Sequence, residues 1–190
     1  VQGHLPRSML LNFQIIEYIR AFYCGRSGWE WVNATLLLSG AMATFRTSAL
    51  RDVHGFDQTS ITEDLEIILR LRWQAVAHRK NWAIRLIPEP LCWTQAPSSL
   101  KQLRKQRIRW QQGLSQTMWK YFSLIFNPSY SVAGFVHMPY VLGFEWLGAW
   151  IELGAYIVGG AAWYLGILQI KTVLSFVALG LLYSCVVSIV

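Results

Sequence analysis

The sequence predicts a mixed α/β region followed by membrane-spanning helices, and three observations point there. Short apolar runs broken by turn residues alternate with helical stripes over the first hundred residues or so. Two of those stripes are long and keep a 3.6-residue spacing. From Val132 to Ile170 the only ionisable groups, tyrosines aside, are His137, Glu145 and Glu152. The chain has 190 residues, 54% of them hydrophobic, with ten Trp, and a mean hydropathy of +0.31. That is high for a wholly water-exposed domain and suits a chain that is part globular, part membrane-embedded. It opens on Val1, within what reads as a folded region, so it is expected to be a portion of a longer protein.

In chain order, Leu11, Ile15, Ile19 and Phe22 give a first helix over 8–24, with a break expected at "CGRSG". "ATLLLSGAMATFR" (34–46) reads as a buried strand, a tight turn at Ser39–Gly40 and a second short strand. "TSALRDVHGFD" (47–57) reads as a helical turn ending at Gly55. Ser60 and Glu63 have capping-box spacing ahead of the stripe Ile61, Leu65, Ile68, Leu69, Val76, so a helix is expected from Ser60. "WAIRLI" (82–87) alternates as a strand does and stops at Pro88–Glu89–Pro90; "LCW" (91–93) suits a short edge strand. An amphipathic helix then runs from about 98 to 126, ended by Asn127–Pro128. Beyond it, 132–170 is longer than one straight span of about 20 residues, with Pro139 and Gly159–Gly160 as break points, a turn at Lys171 and a second span from Thr172. Three regions follow: 1–97, 98–130 and 131–190.

Charge is unevenly placed. The formal net charge is +7, and between Pro90 and Phe144 there is no Asp or Glu, while Lys101, Arg104, Lys105, Arg107, Arg109 and Lys120 all fall there. Such a block faces phosphate of lipid or nucleotide; beside an apolar segment it places this side in the cytoplasm, of an integral membrane protein, and disfavours nucleic acid. The three cysteines and four histidines are scattered and show no metal spacing.

Four groupings carry chemistry. Gln106, Arg109 and Trp110 stand at i, i+3 and i+4, so they leave one helix face together. A guanidinium grips phosphate, an amide adds directional bonds and an indole offers a plane for a sugar ring. The plainer reading is an interfacial helix whose Trp sits at the lipid surface, and it also covers Arg104, Lys105 and Arg107. In "ITEDLEI", Thr62, Glu63 and Asp64 open a helix, where carboxylates are favoured by the dipole; one of them can be a general base or simply a capping charge. Ser39–Gly40 lets backbone approach a ligand or is an ordinary turn. Glu145 and Glu152, seven apart, share a helix face and either line a polar passage or bond to neighbouring helices.

In this order, "SGAMATFRTSALRDVHGFD", then Thr62–Glu63–Asp64, then "QRIRW" (106–110), then apolar segments, the chain resembles the second half of a membrane-bound family 2 glycosyltransferase, the group of cellulose, chitin, hyaluronan and poly-N-acetylglucosamine synthases. The motifs cover residues 30–126. The resemblance implies the C-terminal part of a nucleotide-sugar-binding glycosyltransferase A-type domain, then an interface helix and transmembrane helices. It implies inverting transfer from a nucleotide sugar, a UDP-hexose or UDP-N-acetylhexosamine, to a polysaccharide or lipid-linked acceptor. Asp64 matches the base, within the triplet Thr62, Glu63, Asp64; Gln106 and Arg109 match the diphosphate contacts; Trp110, with Ser39 and Gly40, matches the acceptor side. A divalent cation (Mg2+ or Mn2+) is implied, held by an Asp-x-Asp motif that these residues lack, so its ligands and the donor-binding half are expected elsewhere and this stretch by itself is expected to be inactive. No Phe-x-Val-Thr-Pro follows Trp110, which departs from the cellulose synthases. The rival readings are an enzyme adding one sugar to a lipid, an inactive scaffold of the same fold, and a basic lipid-binding membrane protein.

Overall fold

The computed structural model describes residues 8–38, 40–87, 89, 92 and 94–189. It divides into one unit ending at Leu142 and a second beginning at Gly143. In the first unit, α1 (Met9–Ile19) passes through a π-helical stretch, Arg20–Arg26, into α2 (Ser27–Trp31). The expected break at "CGRSG" is thus a widening of the helix rather than its end. α3 (Thr47–Asp52) follows, then α4 (Glu63–Ala77), α5 (Leu100–Lys120), two 3₁₀ turns, a π turn and the short α6 (Met138–Tyr140).

α3 and α4 end alike. Gly55 N–H donates to Leu50 O at 2.8 Å and His54 N–H to Arg51 O; Lys80 N–H donates to Ala75 O at 2.7 Å and Arg79 N–H to Val76 O. These paired bonds are the Schellman stop, and they hold His54 and Arg79 at φ +60° and +51°. α5 starts on Ser99, whose hydroxyl accepts the Gln102 N–H at 3.3 Å. The capping box expected at Ser60 and Glu63 does not form. Helix α4 starts three residues later, at Glu63, with Thr62 as its N-cap, and no side chain caps it.

α4 is the central element. Leu65 and Leu69 pack with Leu36, Met118, Tyr121 and Met138 on one side. Ile67, Ile68 and Leu71 pack with Val53, Phe45 and Trp82 on the other. A helix apolar on both flanks is a buried helix, and each such side chain removed from water contributes roughly 1.5–3 kcal/mol.

No strand forms among the described residues. The 34–36 segment, expected as a strand, is buried, but its carbonyls are taken by side chains. Thr35 O accepts Arg72 Nε at 2.8 Å, and Ala34 O accepts His137 Nδ1 at 2.6 Å. Residues 82–87 alternate in exposure as a strand would, yet pair with no ladder partner. Leu91 and Trp93 of the expected edge strand lie outside the described residues.

The membrane expectation is corrected. Among the described residues no helix is long and apolar enough to cross a membrane. Part of the stretch expected to enter a bilayer is core instead: Ala133, Met138 and Val141 are buried in the first unit. In the second unit, α7 (Gly148–Tyr164) is unbroken at Gly159–Gly160 and its 17 residues rise only about 25 Å. It closes in another Schellman turn at Gly166, φ +71°, so the turn precedes Lys171, which lies inside α8 (Ile170–Ile189). Glu145 is exposed in a π turn (Val141–Trp146), and Glu152 falls in α7, so no single α-helix carries both.

His137 is 2% exposed and stacks on Trp29 with ring centroids 3.9 Å apart. A carbonyl only accepts, so Nδ1 carries a proton and donates it to Ala34 O. Burial pulls its pKa from 6.5 down to about 4. A depressed histidine contributes stability that is complete above the unfolded value and is lost as pH falls toward the folded one. Between pH 6.5 and 4 this amounts to about 3 kcal/mol. Denaturant titrations of the native polypeptide across that window are expected to show the loss, and His137→Gln, which keeps a donor but cannot charge, is expected to flatten it. An equal slope in both proteins would refute the assignment.

Candidate active site on helices α4 and α5

The first turn of α4 carries Glu63, Asp64 and Glu66, where the helix dipole favours carboxylates. Glu63 is exposed and Asp64 is half-buried. Asp64 Oδ1 accepts the Leu65 N–H at 2.9 Å. Gly40 lies directly against this carboxylate: a Cβ built there would sit 2.6 Å from Asp64 Oδ2 and 3.2 Å from its Cβ. The glycine of the turn therefore makes room for Asp64. Ser39 is outside the described residues.

α5 meets this segment along one face. Gln106, Arg109, Trp110, Gly113, Gln116, Thr117 and Lys120 recur at three- and four-residue intervals, so they stack along a single stripe. At Gly113 the two helices touch: a Cβ there would overlap Thr62 Cγ2 and Oγ1 and come within 2.8 Å of Thr62 Cβ. One turn on, Gln116 uses both ends of its amide. Its Nε2 donates to Thr59 O at 3.1 Å and its Oε1 accepts the Ile61 N–H at 3.0 Å. At the end of the stripe, Lys120 Nζ donates to Asp57 Oδ2 and Glu66 Oε1, both at 2.7 Å.

Glu66 is 1% exposed. Besides Lys120, it accepts from Tyr121 Oη at 2.6 Å and from Arg70 Nη2 at 2.8 Å. Arg70 also donates to the carbonyls of Val53 and Gly55, tying the end of α3 to α4. Burial and the Glu66 carboxylate push the Tyr121 hydroxyl well above the usual phenol range. Asp57 accepts the Thr59 N–H at 2.9 Å and its hydroxyl at 2.6 Å. The hydrogen bonds from Lys120 and Thr59 hold Asp57 well below the usual carboxylate value. For Lys120, burial acts downward, but the bonds to Asp57 and Glu66 outweigh it and raise its pKa above 10.5. A lowered carboxylate loses its contribution as pH falls below 3.8, and a raised ammonium loses its own as pH climbs past 10.5. Between those limits Asp57 and Lys120 keep their opposite charges. A polar pocket of about 160 Å³ opens beside it, lined by the 57–60 loop, Glu66, Gln116, Thr117 and Lys120. The Ser60 and Thr117 hydroxyls are buried there without a protein partner.

The other end of the stripe is braced by α1. Arg107 Nη1 donates to Glu17 Oε1 at 2.7 Å, and Nη2 to Glu17 Oε2. Its guanidinium lies 4.7 Å from the centre of the Trp110 ring. Gln14 Nε2 donates to Pro97 O at 3.0 Å, just ahead of the helix. Arg107, expected as charge facing lipid or scaffold, is thus an intramolecular brace for the indole. Gln106 is half-buried, and its Oε1 is buried with no partner; Trp110 is half-buried and Arg109 exposed. All three lie one to two turns N-terminal of the Gly113–Thr62 contact. No three His, Cys, Asp or Glu side chains among the described residues come together to hold a metal.

The family model described as glycosyl transferase family group 2 matches residues 22–190. The chain belongs to that family. The glycosyl transferase family generally uses a divalent cation, but the described residues of this chain do not form a site that fits one. Among curated relatives, a poly-β-1,6-N-acetyl-D-glucosamine synthase of Staphylococcus epidermidis is 33% identical over 115 residues, 60% of this chain and 26% of the relative. The synthase of the same name from Staphylococcus aureus is 32% identical over the same extent. The chain thus spans about a quarter of the length of these relatives. No solved structure matches it significantly.

Gly113, Gln116, Lys120, Glu66 and Asp57 were not singled out as site residues from the sequence, although Gly113 carried a signal: glycine inside a helix costs about 1 kcal/mol against alanine, so it marks a close approach. Gly113→Ala is expected to destabilise by about 1–3 kcal/mol, overpacking Thr62 outweighing the helix gain. Gly154→Ala in α7, where nothing lies within 4 Å, is expected to stabilise by up to about 1 kcal/mol. Thermal melts of the two variants check the opposite signs; a stabilising Gly113→Ala would contradict the contact.

Proposed function

We propose that this chain supplies the base and the acceptor-facing surface of an inverting glycosyltransferase, which moves a sugar from a nucleotide sugar to a growing polysaccharide. The observation that carries the reading is the Gly113–Thr62 contact. It joins the helix start bearing Asp64 to the α5 stripe bearing Gln106, Arg109 and Trp110. Members of one face, those three side chains can meet one ligand, and the contact sets them within about 10 Å, along the helix axis, of the Thr62–Asp64 turn.

In the proposed reaction Asp64 accepts the proton of the acceptor hydroxyl as its oxygen attacks the anomeric carbon. The carbon–oxygen bond to the diphosphate breaks on the opposite side, which inverts the centre. Arg109, exposed and charged, offsets the charge growing on the departing diphosphate. Gln106 adds a directional bond by donating from its amide Nε2 to a diphosphate oxygen. Trp110 offers an indole plane for the acceptor sugar, held in place by the Arg107–Glu17 pair. Gly40 keeps space for the base rather than forming the acceptor surface itself. The similar relatives are synthases of poly-β-1,6-N-acetyl-D-glucosamine, which supports a polymer of N-acetylglucosamine as the product; with the nucleotide-sugar reading, UDP-N-acetylglucosamine is the proposed donor.

The test is transfer of labelled UDP-N-acetylglucosamine by the full native polypeptide. Asp64→Asn is expected to lower turnover by about 10²–10⁴-fold, the range of a positioned general base; near-wild-type turnover would remove Asp64 from that role. Trp110→Ala is expected to impair transfer to acceptor more than hydrolysis of donor. Equal loss of both would make the indole structural.

A further inference from the structure

Beyond the Gly113–Thr62 touch, three side chains at the end of α5 fasten it to the segments on both sides of Asp64. Gln116 brackets the backbone at Thr59 and Ile61. Lys120 spans from Asp57, on the loop, to Glu66, on α4. Tyr121 reaches the same Glu66 oxygen. Asp57 in turn folds its own loop through Thr59. The loop, the first two turns of α4 and the last two turns of α5 therefore form one bonded frame. Asp64 hangs from its α4 side, and Gln106, Arg109 and Trp110 from the α5 side.

Few of these groups have a role in the chemistry itself. Glu66 is 1% exposed, and its carboxylate is taken up by Arg70, Lys120 and Tyr121. Lys120 has its charge turned to two carboxylates of its own chain rather than outward, although it belongs to the basic block that would suit phosphate. We propose that Lys120, with Gln116, is a positioning residue for sugar transfer: it sets the distance between the Asp64 carboxylate and the diphosphate- and sugar-facing stripe of α5. This rests on the reading of Asp64 as base. Transfer is steeply sensitive to that distance, since a displacement near 1 Å can cost about a hundredfold. Binding of the diphosphate to the stripe alone is not, because its residues stay on one helix.

The experiment measures, in the full native polypeptide, kcat and donor KM for transfer from UDP-N-acetylglucosamine, the Kd of UDP, and the folded fraction. Lys120→Met is expected to lower kcat by about 10–100-fold while KM and the UDP Kd stay within about twofold. Lys120→Arg, whose forked guanidinium can bridge the same two carboxylates, is expected to recover to within about threefold of wild type. Asp57→Asn combined with Lys120→Met is expected to fall no further than Lys120→Met by itself. Gln116→Ala, which leaves every charge in place, is expected to show the same split of kcat from KM if Lys120→Met does not fold. Wild-type kcat per folded molecule in Lys120→Met and Gln116→Ala overturns the proposal, as does a kcat that falls only in proportion to lost folded protein. Asp64→Asn run alongside separates the two readings. If it abolishes transfer while Lys120→Met does not, the positioning role fails and the base stands; if it is active, the base reading fails and this role goes with it.

Discussion

A carboxylate taken out of water costs several kcal/mol unless donors surround it, and Glu66 is buried with Arg70, Lys120 and Tyr121 all turned to it. Those three donors come from α4 itself and from the far end of α5, so satisfying one buried charge fixes how two helices cross. Arg70 extends the constraint to the carbonyls that end α3. Lys120 extends it to the loop at Asp57. Removing one partner of such a buried group typically costs about 3–5 kcal/mol, as much as several surface pairs together. Within that crossing Gly113 lies against Thr62, where a Cβ would overlap its side chain.

The proposed functional surface is what remains of the α5 stripe once the frame is built. Its C-terminal half is spent on the fold, through Gly113, Gln116 and Lys120. Its N-terminal half, with Gln106, Arg109 and Trp110, is braced from behind by α1 through Arg107 and Glu17. That division explains why a helix so rich in cations pairs some of them internally and leaves Arg109 exposed. Membership of the glycosyl transferase family agrees with a stripe suited to a diphosphate and a sugar ring.

Helices α3, α4 and α5 were legible because their apolar spacing, Gly55 and Ser99 are local signals. Thr62, Glu63, Asp64, Gln106, Arg109 and Trp110 were singled out as short motifs by their order, and the Gly113–Thr62 contact brings the two helices that carry them together. What was hidden depends on distant partners. Nothing near Arg107 announces Glu17, ninety residues away, and nothing near Ala34 and Thr35 announces that His137 and Arg72 take their carbonyls in place of a neighbouring strand. Apolar density misled for a related reason. The run after Tyr130 was rich enough to suggest a bilayer, yet Ala133, Met138 and Val141 are apolar because they close a protein core against α4 and α5.

The central claim is that Asp64 and the Gln106–Arg109–Trp110 face address a single ligand. Its most direct test is a cryo-EM structure of the full native polypeptide with uridine diphosphate bound. The account predicts diphosphate oxygens within hydrogen-bonding distance of Arg109 and Gln106, on the side of α5 that meets Thr62, with the Asp64 carboxylate facing the same space. A diphosphate seated elsewhere, with Arg109 turned to solvent and Asp64 pointing away from the nucleotide, would contradict it.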